Sequence, residues 1–294
     1  MSWRAWLAFA ALGIIWGVPY FFIRLAVEEL SPYLVAWGRV TLAALILMPL
    51  AWQRGALRSL STHKTAICAF GVIEFAIPFT AISIGERWIN SSITGILIAA
   101  VPLTVVLLSR FFGIHERMGG WRILGLALGL IGVAALLGFR TISGPLGWAG
   151  VGCMLLSTVG YAAGPLIIQR YFVGVDSLGT VAASLTFASL VLLPALLALP
   201  GHMPSHVALW SIAVLGIVCT AVAMLLMFYL VAEAGAARAS IVTYINPAVA
   251  ALLGVSFLDE RLGTGGIVAF ALILAGSWLA TRGGSTAHAA VRQS

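Results

Sequence analysis

Ile245-Asn246-Pro247, followed by an apolar stretch and then Asp259-Glu260-Arg261-Leu262-Gly263, repeats an earlier pattern: Ala100-Val101-Pro102 and then His115-Glu116-Arg117-Met118-Gly119. The prolines stand 145 residues apart (247 − 102) and the glutamates 144 (260 − 116). Around these markers lie ten apolar runs, near 5–26, 33–51, 65–84, 91–110, 121–138, 146–168, 177–199, 207–231, 238–257 and 264–281. Each half holds five. Five is odd, so a duplicated half enters a membrane from the opposite side. The expected fold is therefore an all-α integral membrane protein of ten transmembrane helices, built as two inverted five-helix repeats.

Composition requires a bilayer. The chain has 294 residues, 62% hydrophobic and 9% charged, against about 25% charged in a soluble domain. The runs are long enough for about 30 Å of hydrocarbon. They lack the period-two alternation of barrel strands. The links are short, so no soluble domain fits between runs. Trp3-Arg4 precedes a run too long for a cleaved leader, and the first run is read as a retained helix. With both termini placed in the cytoplasm, eleven basic residues of the links and run ends fall inside and four outside, as the positive-inside bias favours. The net charge of +7 is thus topogenic. Dispersed basic residues give no nucleic-acid face. Trp3, Trp6, Trp52, Trp88, Trp121, Trp148 and Trp210 lie near run ends, where an interfacial aromatic belt belongs.

The duplication extends to finer features. Gly13 and Gly17 precede Pro19 in run 1, and Gly160 and Gly164 precede Pro165 in run 6. Small residues four apart let helix backbones approach closely, and a proline inside a span frees a carbonyl and permits a bend. Pro19, Pro78, Pro102, Pro165 and Pro247 are therefore candidate bend or gating positions. The halves are expected at 1–140 and 145–284, with a cytoplasmic tail at 285–294.

The two Glu-Arg-x-Gly turns, the proline within the run before each, Trp16-Gly17, and Ala236-Ala237-Arg238-Ala239-Ser240 leading to Pro247 resemble the EamA-like ten-helix transporters of the drug/metabolite transporter superfamily. The resemblance covers nearly the whole chain. Gly85-Glu86-Arg87-Trp88 departs from the small-residue turn of that pattern. The resemblance implies two inverted halves around a central cavity in a bacterial inner membrane, and export or uptake of small metabolites. Amino acids, sugars, nucleotides and drugs are all handled within the family. Export of amino acids or related amphipathic compounds is the expected activity, with organic-cation efflux as the alternative.

Two charges lie within spans, Arg39 in run 2 and Glu74 in run 3. Each costs about 2.5–3.5 kcal/mol at a helix centre and so faces the protein interior. Three readings stay open: a structural ion pair, a protonatable coupling group at Glu74, and a binding pair for a zwitterionic or charged substrate. Trp16, Tyr20, Tyr161, Tyr244 and Asn246 complete an aromatic, modestly polar candidate cavity. Glu116 and Glu260 are read as gating or structural carboxylates, each complementing the positive end of the helix that follows it, helix 5 or helix 10.

Enzyme chemistry is not expected. His115-Glu116 has Gly119 where a zinc-protease motif needs its second His, and no Walker loop or Gly-x-Ser-x-Gly elbow occurs. The three cysteines lie apart inside apolar runs, without metal spacing or a disulfide framework. No cofactor and no metal are expected. The expected partners are a small-molecule substrate and the lipid bilayer, with protons as the candidate coupling ion and a homodimer as the candidate assembly.

Overall fold

The computed structural model describes residues 2–58, 60–113, 119–138, 144–201, 203–234, 239–261 and 263–281. Ten helical spans follow in chain order: α1 (Trp3–Val27), α2 (Pro32–Gln53), α3 (Lys64–Gly85), α4 (Ser91–Ser109), α5 (Gly120–Gly138), α6 (Gly144–Tyr171), α7 (Ser177–Val191), α8 (His206–Glu233), α9 (Ser240–Tyr244 with Asn246–Phe257) and α10 (Thr264–Thr281). Six have a window long and apolar enough to cross a bilayer, and the other four contain shorter apolar helices. Run 7 was expected to reach residue 199. Its α-helix stops at Val191, and a 3₁₀ turn at Leu193–Ala198 carries it onward. The longer rise of that turn, about 2.0 Å per residue, recovers the span.

The outward surface suits lipid. Trp3, Trp6, Trp52, Trp121, Trp148 and Trp210 are all more than half exposed at span ends. Three apolar clusters fill the interior among the described residues: one mainly on α1, α4, α5, α6 and α10, one mainly on α2, α3, α6 and α7, and one on α1, α8 and α9.

Packing follows the duplication. α2 lies on α7, α4 on α9 and α5 on α10, so each of these helices meets its own repeat counterpart. α3 packs on α6, and its counterpart α8 packs on α1. With five spans per half, counterpart helices cross in opposite directions. Both α3 and α8 carry a π-helical stretch, at Gly71–Ala76 and at Val214–Val222. These occupy equivalent places in the two halves, and such wide turns recur at functional sites.

Glycines set the close approaches. Gly276 of α10 leaves no room for a Cβ against the backbone of Gly125 and Gly129 in α5. Gly13 and Gly17 lie on Ile245, Asn246 and Val249 of α9. Their counterparts Gly160 and Gly164 do not face α4, as symmetry would ask. They face Ile73, Glu74 and Pro78 of α3. The glycine pairs of the two halves thus meet different helices.

Pro19, Pro78, Pro102 and Pro247 each stand at the start of a helical segment that follows a break or a change of winding. Pro165 differs from its counterpart Pro19. It sits inside the unbroken helix Gly144–Tyr171.

Candidate functional site

Arg39 leaves α2 toward the space between the halves and is 5% exposed. Its Nε donates to Thr220 Oγ1 of α8 at 2.9 Å, and Thr220 donates in turn to Leu215 O at 2.8 Å. Its guanidinium lies 3.7 Å from the centre of the Phe79 ring of α3. A desolvated cation–π contact of this kind contributes about 2 kcal/mol. A hydroxyl and a ring compensate the charge only partly. Among the described residues no carboxylate lies within ion-pairing distance of Arg39.

Glu74 lies in the π stretch of α3, against Gly164 of α6, where a Cβ would overlap its carboxyl. Its Oε2 is buried without a hydrogen-bond partner. Phe70 lies beside the same glycine, and Phe70, Phe75, Phe79 and Tyr161 form a chain of edge-on contacts of 5.5–6.4 Å from one ring to the next. Arg39 and Glu74 both interact electrostatically with Tyr161, but among the described residues they form no ion pair.

The duplication gives this asymmetry a shape. Thr220 stands 146 residues after Glu74 (220 − 74), at its equivalent place in α8. Ser184 is likewise the counterpart of Arg39, and its hydroxyl donates to Ile67 O of α3 at 3.1 Å. The same crossing of helices thus carries a base facing a hydroxyl on one side and a hydroxyl beside an acid-bearing helix on the other.

The other candidates divide between this cluster and the joint of α1 with α9. Tyr20, 6% exposed, interacts electrostatically with Tyr161 and Arg39, and Tyr161 touches two of the three apolar clusters. Trp16 packs against the cluster of α1, α8 and α9. Asn246, with its amide nitrogen turned toward α1, donates to Gly13 O and Val242 O at 3.2 Å each. It fastens α9 to α1. Tyr244 is half-buried at the end of the 3₁₀ stretch before it.

Sequence reasoning had no signal for a cleft of about 360 Å³ at the ends of α3 and α6, lined by Thr62, His63, Thr65, Ala66, Ala69, Ile167 and Tyr171. Ile167, in its lining, stands one turn along α6 from Gly164.

At the opposite end, Glu260 does not complement α10. Its Oε1 accepts from Ser91 N at 2.8 Å, and its Oε2 accepts from Ser92 N at 2.9 Å and from Ser92 Oγ. It caps α4, the helix whose own Asn90 provides no side-chain cap. The physical reason is the turn after α9: Asp259 takes φ 53°, and Glu260 N returns to Gly254 O at 3.1 Å. That left-handed step sends the carboxylate back across α9 toward α4. Glu116 lies outside the described residues.

Known proteins share this architecture. The family model described as "EamA-like transporter family" matches residues 3–138 and again 148–282. The Escherichia coli (strain K12) "Uncharacterized inner membrane transporter YedA" is 28% identical over 279 residues, covering 91% of this chain and 89% of its own. The Bacillus subtilis (strain 168) "Uncharacterized transporter YoaV" is 21% identical over 95% of this chain and 97% of its own. A solved structure titled "Crystal structure of protein" superposes with a TM-score of 0.66 at 20% identity, covering 99% of both chains.

Proposed function

Since the chain belongs to the EamA-like transporter family, a multi-pass inner-membrane transporter, we propose that it moves amino acids or related zwitterionic metabolites out of the cell. In this reading the halves 1–140 and 145–284 rock about a site between them, and protons drive the exchange. The observation that carries the substrate class is Arg39: a permanent cation, 5% exposed, with a ring and a hydroxyl but no acid as partners. Such a group is completed by a carboxylate brought in by the solute. Glu74, which with Arg39 acts on Tyr161, offers the complementary group for an ammonium or a proton. Organic-cation efflux is favoured by one feature, the chain of aromatic rings from Phe70 to Tyr161, but the uncompensated Arg39 opposes it. Both termini are placed in the cytoplasm on the distribution of basic residues. Thiol probes finding them on opposite sides would overturn that placement.

Flux of a panel of radiolabelled amino acids and organic cations into proteoliposomes tests the substrate class. Saturable flux of at least one amino acid is expected, competed by others that keep both the α-carboxylate and the ammonium. Flux of organic cations alone would transfer the site to the alternative reading.

A further inference from the structure

Glu86, just past the end of α3, is fully buried, and neither carboxyl oxygen has a hydrogen-bond partner. The nearby Arg24 does not satisfy it, since its Nη1 donates instead to the Glu86 backbone carbonyl. The groups facing Glu86 are few. Arg24 and Tyr20 come from α1, Ser91 from the start of α4, and Glu260 from the α9–α10 turn. α6 brings only Cys153, beside Gly85. Ser91 spends its hydroxyl on Tyr20 O at 3.2 Å. A buried carboxyl left in this way favours holding a proton over carrying a charge.

The neighbour decides what the proton does. Glu260 accepts hydrogen bonds from two backbone N–H groups and a hydroxyl of α4. Two adjacent carboxylates do not both remain charged in a water-excluded site. Burial first, and then Glu260, raises the Glu86 carboxyl well above the usual carboxylate range, with Arg24 and Ser91 opposing by less. We propose that Glu86 is the outer proton-binding group of this transporter, and that the outer end closes through the Glu260 clasp only when Glu86 carries its proton. Opening the clasp exposes Glu86 to the outer medium, where it loses or gains the proton. Inward of it, Tyr20 interacts electrostatically with both Glu86 and Tyr161, and Tyr161 with Glu74.

This inference rests on the proton-driven reading, and one of its two tests does not need a substrate. In the purified full-length protein at pH 7, infrared spectroscopy should show the C=O stretch of a neutral carboxyl that Glu86→Gln removes and Glu86→Asp retains at a shifted frequency. An identical set of neutral-carboxyl bands in wild type and Glu86→Gln would overturn the proposal. In proteoliposomes loaded with the transported amino acid, Glu86→Gln should keep equilibrium exchange but lose at least about tenfold of the flux driven by a pH gradient. Gradient-driven flux equal to wild type would also overturn it. If wild type carries no amino acid, the amino-acid reading fails, and the infrared bands still decide Glu86.

Discussion

Glu260→Ala should leave the start of α4 without its cap and lower the melting temperature of the detergent-solubilised protein by roughly 4–16 °C. Two backbone donors, Ser91 N and Ser92 N, lose their acceptor, and so does the Ser92 hydroxyl. Loss of a side-chain cap costs about 0.5–2 kcal/mol, and hydrogen bonds to a charged group contribute about 1.5–3 kcal/mol each. Water replaces part of this at the membrane surface, which leaves about 2–4 kcal/mol. At 2–4 °C per kcal/mol for a chain of this order of size, the stated shift follows. Glu260→Gln keeps one acceptor oxygen and should fall between. Amide exchange at Ser91 and Ser92 gives the local readout: both should exchange faster in Glu260→Ala. An unchanged melting temperature with unchanged exchange there would show that the clasp does not hold α4.

Gly276→Leu should be more damaging still, because nothing around it can yield. A Cβ at this position overlaps the backbone of Gly125 and Gly129, and backbone atoms do not rotate away as a side chain does. Overpacking in a tight core costs about 1–3 kcal/mol and sometimes more. Here the whole α5–α10 contact must separate, which forfeits the dispersion that holds helices together in lipid. The expected result is loss of the monodisperse peak in size-exclusion chromatography for the Leu variant and partial loss for Gly276→Ala. A Leu variant that elutes and melts like wild type would mean that α5 and α10 are not packed through these glycines.

The ten spans were legible because the bilayer imposes one length and one polarity on each, and short links left nowhere else for the chain to go. The duplication was legible because Pro102 and Pro247, and Glu116 and Glu260, recur at nearly one spacing. The π stretches in α3 and α8 were not. Hydropathy reads which residues are apolar, not whether a turn holds one residue more, and apart from Glu74 the residues of Gly71–Ala76 look like any apolar turn. Partners across helices were equally hidden. Arg39 and Glu74 could be placed on facing sides of α2 and α3, but that Arg39 would reach Thr220, 181 residues away, depends on how α8 is laid down. Glu260 was assigned to the helix next in sequence because the single left-handed step at Asp259 gives no pattern in composition. Glu86 appeared only as a departure from the expected turn. Its significance came from burial, which sequence reports poorly for a charged residue at the end of a span.

The central claim is that the cluster of Arg39 and Glu74, between the two halves, is where a solute and its driving proton meet. The most direct measurement is amino-acid flux in proteoliposomes under an imposed pH gradient, in wild type and in Glu74→Gln. Wild-type flux should rise with the gradient, and Glu74→Gln should lose that response by about tenfold or more, equivalent to at least about 1.4 kcal/mol of coupling. Glu74→Gln transport with wild-type rate and wild-type pH dependence would contradict the account.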